Sequence, residues 1–451
     1  MERWTLAIGL WCCAAAALYL CRKRSPFSPL VIALAATGII GSFFPVMTMF
    51  IQPASWRNLG AISEASIVAA QIQYLAFAAG MLVSVLLADH AGWLAELPAT
   101  EVPHPRSRIG QRDLFIASGL VLVGAPLYFA YVMHVGIDVL TNRDDFGQKY
   151  LAGAGLGPLA FGLPVAMAGC LWAEAGGVSN RVRWCFRGVG LAVIVWSLGF
   201  ISVRTNFAVI LLGTSAILCA RRGVRVERIR PVLIVLLLCA YALLEGFSFF
   251  RGAYKGDLMD ALSQMQDRGS TTVAAVVGGS ELAHPFITAA EVIETEEEAG
   301  FAGQTLVDAV LAFVPTSLVP DRPPAPSEWF ARRHYSAFAK GGGGTGFSLV
   351  IEGWLDFGSI LGPFAFGSAI ALLLGWIERR RARTPHSMLM RIEPYFLLLV
   401  VIGHRSDVAS IVKQVVSMCV VATVVWIGAE LALVHFMPRV RTRSLAAEGN
   451  S

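Results

Sequence analysis

Apolar positions fall in long uninterrupted runs along this chain, separated by short polar breaks that are often rich in arginine. A bilayer-spanning helix needs about 20 mostly apolar residues, within a range near 17–25. On that measure the pattern predicts spans over 5–20, 27–51, 66–88, 114–134, 155–173, 188–203, 207–220, 231–250, 359–377, 394–403 and 412–435. The fold class expected is therefore an all-α polytopic membrane protein with about 11 (10–12) transmembrane helices. One polar interval, 251–345, is far longer than the others. It divides the chain into an N-terminal bundle over 1–250, a large loop, C-terminal spans over 346–437 and a tail over 438–451.

Composition sharpens this picture. Of 451 residues, 56% are apolar and only 15% charged, and the mean hydropathy is +0.63. A soluble chain is about a quarter charged, so a soluble enzyme, a nucleic-acid-binding module and a disordered scaffold are all excluded. The net charge of +5 is no nucleic-acid footprint, because the basic residues sit in short clusters between apolar runs. Seven of the eight cysteines lie in or beside apolar segments and none lies in the large polar loop, which argues against disulfides. No C-x-x-C or His-rich spacing points to a metal, and no cofactor is expected. The first run follows Met1-Glu2-Arg3-Trp4 and precedes Arg22-Lys23-Arg24. A cleavable leader has the opposite charge order, so this run reads as a retained span.

Basic residues then set the orientation. Alternate loops hold Arg22–Arg24, then Arg106, Arg108 and Arg112, then Arg181, Arg183 and Arg187, then five arginines between 221 and 230. The same side takes five more between 379 and 391, and Arg439, Arg441 and Arg443. That is 22 of the 36 Lys and Arg. These loops are expected in the cytoplasm, with the N-terminus and the large loop outside. The loop is acidic at Glu294, Glu296, Glu297 and Glu298, Pro-rich over 315–326 and glycine-rich over 341–344. Its apolar patch 306–318 and its aromatics Trp329, Phe330, Tyr335 and Phe338 point to packing on the membrane surface.

The most informative residues are those that lipid rejects, since an ionisable group within a span marks a functional site by default. The stretch 188–220 is apolar except for Arg204-Thr205-Asn206, and both of its flanks are arginine-rich. Only a hairpin satisfies that. The climb from Arg187 to Arg204 is roughly 25 Å, short of the ~30 Å hydrocarbon core. The segment 391–439 repeats the logic around His404-Arg405-Ser406-Asp407, with a climb of about 21 Å to Arg405. Arg251 ends the 231–250 span. Arg251 also reads as a snorkelling side chain, and Arg405 as a structural ion pair with Asp407 or Glu245. As a group, deep arginines fit a phosphate-bearing lipid headgroup, because a guanidinium forms bidentate bonds to phosphate and stays charged.

After the glycines comes Gly346-Phe347-Ser348, and then Glu352 and Asp356, spaced i, i+4 on one helical face among apolar neighbours. No Lys-Ser/Thr follows the glycines, so this is no phosphate-binding Walker loop. A carboxylate in apolar surroundings tends to a raised pKa and can act as general acid or base. The plainer reading of Glu352 is a carboxylate satisfying backbone donors at its own helix N-terminus.

Three local features carry a resemblance: the Arg204-Thr205-Asn206 break, the run Phe313-Val314-Pro315-Thr316-Ser317-Leu318-Val319-Pro320-Asp321-Arg322-Pro323, and Gly344-Thr345-Gly346-Phe347-Ser348 leading to Glu352 and Asp356-Phe357-Gly358. In these, and in its late exterior loop, the chain resembles the Wzy-type oligosaccharide repeat-unit polymerases, which include the O-antigen and enterobacterial common antigen polymerases. Members often have an even number of spans, which eleven is not. The resemblance implies a GT-C-like glycosyltransferase of the bacterial inner membrane, with undecaprenyl-diphosphate-linked oligosaccharides as substrates on the periplasmic side. Membrane lipid is its other partner and a chain-length regulator a candidate one; nucleic acid is not. It implies Arg204, Arg251, Arg405 and Arg322 on the diphosphate, with Glu352 as the catalytic base and His404 and Asp407 as rivals. An O-antigen ligase fits the same features. A glycolipid flippase fits less well, since there is no internal repeat and one side carries the large loop.

Overall fold

The computed structural model describes residues 2–25, 28–47, 62–92, 108–141, 157–160, 162–196, 210, 213–219, 222, 224–228, 283–295, 303–311, 314, 318–319, 324–336, 346–383 and 407–436. All regular structure among them is helical. The helices of eight residues or more are, in chain order, α1 (Glu2–Leu20), α2 (Pro29–Met47), α3 (Glu64–His90), α4 (Arg108–Val135), α5 (Gly162–Ala175) and α6 (Asn180–Val195). There follow α7 (His284–Thr295), α8 (Gln304–Leu311), α9 (Pro326–His334), α10 (Leu349–Phe357), α11 (Leu361–Arg383) and α12 (Val408–Phe436). Among the described residues five helices, α1 to α4 and α11, are long and apolar enough to cross a membrane. Ile8, Leu87, Leu122, Phe129 and Leu373 lie exposed on their outer faces, the surface of helices that are apolar all round and solvated by lipid. The chain is a multi-pass membrane protein of the all-α class.

The spans expected at 5–20, 27–51, 66–88, 114–134, 359–377 and 412–435 coincide with α1, α2, α3, α4, α11 and α12. Those at 231–250 and 394–403 lie outside the described residues. Arg181, Arg183 and Arg187, expected in a loop, stand instead in the first turns of α6. The Ser179 side chain caps that helix by accepting from the Val182 N–H, which starts the helix before the arginines rather than after them.

The contacts group the chain into two compact units; the boundaries at 250, 345 and 437 read from the sequence lie outside the described residues. The first takes Met1–Pro98, Arg222–Arg383 and Leu397–Lys413; the second takes Ala99–Arg221, Thr384–Phe396 and Gln414–Ser451.

In the first unit α1, α2 and α3 form an antiparallel set. The start of α1 meets the end of α2 and the start of α3, where Arg3 donates to the Pro45 carbonyl at 3.2 Å and pairs with Glu64. At the other end, Arg24 after α1 pairs with Glu378 near the end of α11 at 2.7 Å, both side chains almost fully buried. The Val226 and Glu227 N–H groups donate to the carbonyls of Arg24 and Arg22 at 2.8 and 3.0 Å. Two arginine-bearing loops and the arginine-bearing end of α11 thus share one end of the unit. Mid-helix, α3 and α11 touch backbone to backbone at Gly80 and Gly367. A Cβ on Gly80 would run into the Phe364 carbonyl, and one on Gly367 into that of Phe77. Close helix approach through small residues is how membrane helices gain packing without a hydrophobic drive. Helix α7, from the large polar loop, is buried in the same apolar core through Phe286, Ala289, Ala290 and Val292.

In the second unit α4 packs on α5, and α5 on α6. Asp113, near the start of α4, accepts from the Trp172 indole at 3.3 Å and the Gly177 N–H at 2.9 Å. Glu174 takes two bonds from Arg187, at 3.0 and 2.9 Å. A Cβ on Gly190 would lie 3.8 Å from Ile210. Twenty residues of straight helix would separate those positions by about 30 Å, so Gly190 and Ile210 do not belong to one straight helix.

Candidate functional site

The site is built in the first unit around α10. Ser348 opens this helix: its hydroxyl accepts from the Ile351 N–H at 3.4 Å and lies 3.4 Å from the Tyr74 hydroxyl, which donates to it. Gly358, with φ of 62°, closes it, because its left-handed backbone lets the Gly358 N–H fold back on the Trp354 carbonyl at 2.6 Å. The chain then turns into α11. Tyr74 stands 16 positions before His90, about 24 Å along α3. Helix α10 therefore lies toward the end of the unit opposite Arg24 and Glu378.

Glu352 and Asp356 share the inner face of α10, as their spacing predicts, and both are buried. Glu352 has no exposed surface. Its Oε2 accepts the Val408 N–H at 2.8 Å. The carboxylate does satisfy a helix N-terminus, but that of α12 and not its own. Its Oε1 has no hydrogen-bond donor among the described residues. Thr305 lies beside it, yet the single proton of that hydroxyl goes to Asp356. Burial pushes Glu352 up to about 8, helped by the charges of Asp407 and Asp356 and opposed by the Val408 N–H.

Asp356 faces the large loop. It accepts the Thr305 N–H at 3.2 Å as well as the Thr305 hydroxyl, and so ties α8 to α10. Burial raises its carboxyl, with the Asp308 charge adding and the Thr305 bonds opposing. Asp308 in turn accepts from the Gln304 amide at 3.0 Å.

Asp407 is also fully buried. It caps α12 by accepting the Ser410 N–H on Oδ1 at 2.7 Å, and its Oδ2 accepts the Ser327 hydroxyl at 2.6 Å. The large loop is thus pinned at two points, through Thr305 on Asp356 and Ser327 on Asp407. A third contact lies at the start of α3, where Glu294 accepts from the Ser63 N–H at 3.1 Å and its hydroxyl at 2.5 Å. Those bonds hold Glu294 below the usual carboxylate range. Tyr335 donates to Glu291 at 2.7 Å, joining α9 to α7.

Of the residues singled out in the sequence, Glu352 and Asp407 come together here. His404, Arg204, Arg251, Arg322 and Arg405 lie outside the described residues. Among those described, no group of three or more His, Cys, Asp or Glu side chains is arranged to hold a metal ion. Sequence reading missed Thr305, Ser327 and Tyr74. Nothing local marks them, whereas Ser348 and Asp407 carry a signal, each being a capping residue just before an apolar run. The site holds one carboxyl that can exchange a proton near neutrality and one that serves as a cap. No protein-family model, curated protein or solved structure matches the chain.

Proposed function

We propose that this chain is a GT-C-like membrane glycosyltransferase with eleven spans. It joins undecaprenyl-diphosphate-linked oligosaccharide repeat units into a surface polysaccharide at the periplasmic side of a bacterial inner membrane. The observation that carries this reading is Glu352: a fully buried carboxyl, one oxygen pinned by Val408 and the other without a donor among the described residues, which burial pushes up to about 8. It stands at the end of the unit away from the arginine-bearing loops. A base poised close to the working pH is the most effective kind.

In the reaction the acceptor sugar hydroxyl gives its proton to Glu352 Oε1 as its oxygen attacks the anomeric carbon of the donor. The bond from that carbon to the diphosphate breaks, and the charge passes to the leaving diphosphate. Arg204, Arg251, Arg405 and Arg322 stabilise it through bidentate bonds that need no reorganisation. Arg405 stands two positions before Asp407 in the chain, whose neighbour Val408 bonds Glu352. Because Glu352 is covered, the acceptor reaches it only when its cover parts, and closing again excludes water from the reaction.

The test is polymer length in cells and in membrane vesicles supplied with lipid-linked repeat units. Glu352→Gln, which keeps the shape and removes the base, lowers the joining rate by about 10²–10⁴-fold. Arg204→Ala and Arg405→Ala abolish polymer while the protein still reaches the membrane, and lysine at either position restores little. Single repeat units on the lipid A core identify a lost polymerase; long chains left on the carrier lipid identify a lost ligase instead. Normal chain lengths in Glu352→Gln would falsify the assignment of the base.

A further inference from the structure

The N-terminus of α12 is shared by two carboxylates. A helix start leaves backbone N–H groups without partners of their own. Here the Ser410 N–H goes to Asp407 at 2.7 Å and the Val408 N–H crosses to Glu352 at 2.8 Å. Asp407 is bonded at both ends, since its carbonyl also accepts the Ile411 N–H at 3.1 Å and its second carboxylate oxygen holds Ser327 of α9. Each carboxylate oxygen of Asp407 already carries a donor, whereas Glu352 Oε1 carries none among the described residues. The two acids, both without exposed surface, therefore have different work.

We propose that Asp407 is a positioning residue. By capping α12 and bonding Ser327, it sets the Val408 N–H against Glu352 Oε2 and so selects Oε1 as the oxygen that receives the acceptor's proton. The inference deepens the reading of Glu352 as the base and rests on it. It also gives the large loop a role at that site, because α9 is fastened to the same helix end that orients Glu352.

The described charged groups around Glu352 are Asp356 on its own helix, Asp308 on α8 acting through Asp356, and Asp407 on α12. Tyr74 of α3 reaches Ser348 at the foot of α10. The carboxylates share one sign. Removing the charge of Asp407 while keeping its bonds must favour the ionised form of Glu352.

Asp407→Asn does that. Its amide oxygen still accepts from Ser410, and its amide nitrogen can donate to the Ser327 oxygen. The titration of Glu352 is read by infrared absorption of its carboxyl, identified as the band lost in Glu352→Gln, alongside the pH dependence of repeat-unit joining. In Asp407→Asn the Glu352 titration moves down by about one pH unit, and the acid limb of the rate moves with it. In Asp407→Ala the cap is lost as well and the plateau rate above the Glu352 titration falls by about tenfold, a loss that asparagine partly rescues. Should the alanine variant not reach the membrane, Ser327→Ala tests the same linkage, with the Glu352 band shifted although residue 327 never touches Glu352. The proposal is overturned if joining vanishes at every pH in Asp407→Asn while the Glu352 band titrates as before, because Asp407 is then itself the proton acceptor. It is equally overturned if the band is unmoved in all these variants. A band that shifts as stated, in a protein whose joining survives Glu352→Gln, keeps the coupling and removes only the base.

Discussion

Buried charge in this protein comes in two kinds that single substitutions separate. Glu352 keeps an oxygen without a donor among the described residues, so its protonation can change; a base of this sort is active only when ionised. The joining rate should therefore rise with pH through about 8 and level off above it. Arg24 and Glu378 are the other kind, a paired and fully desolvated couple that also binds the Leu30 N–H at 3.3 Å. Removing one partner of a buried pair costs about 3–5 kcal/mol, whereas replacing both with well-packed apolar residues is often neutral. Arg24→Ala should accordingly lower the unfolding midpoint in detergent sharply, and Arg24→Met with Glu378→Met should recover most of it. Equal midpoints for the single and double variants would remove the pair's structural role. The i, i+4 placement of Glu352 and Asp356 was readable from the sequence, because helical period is local. That Glu352 bonds Val408, 56 residues away, was not.

Helices α3 and α11 meet through glycine, Gly80 against the Phe364 carbonyl and Gly367 against that of Phe77. On α11, Gly367 faces the α3 backbone, while a Cβ on Gly375 would meet nothing within 4 Å. Helix propensity alone favours alanine over glycine by about 1 kcal/mol, so the two positions should answer in opposite directions. Gly80→Ala and Gly367→Ala should destabilise by about 1–3 kcal/mol through overpacking, and Gly375→Ala should be neutral or slightly stabilising. Thermal unfolding of the purified protein checks this, and equal effects at Gly367 and Gly375 would sink the close-approach account. The span pattern anticipated six of these helices closely. It extended α5 and α6 differently, because Ser179 and the turn at 176–179 set their ends, and a hydropathy run does not register a cap.

For the whole molecule, the arginine alternation predicts which loops face the cytoplasm. Its physical counterpart is that the loops holding Arg22, Arg24 and Val226 and the end of α11 gather at one end of the first unit. Single cysteines in a cysteine-free background test the sides directly. Arg332→Cys should react with an impermeant maleimide on intact cells, and Lys23→Cys and Glu227→Cys only after permeabilisation; labelling of all three from one side would overturn the topology. What the sequence determined by itself is that lipid is the solvent of the long apolar helices and where six of those helices lie. Hydrophobicity and charge act locally on each segment as it meets the bilayer, so they can be read segment by segment. Only the tertiary structure decided which hydroxyl answers which carboxylate. Thr305 is 51 residues from Asp356, Ser327 is 80 from Asp407 and Arg24 is 354 from Glu378. Such pairings follow from how the helices pack, and a buried carboxyl acquires its proton affinity from those neighbours rather than from its own place in the chain.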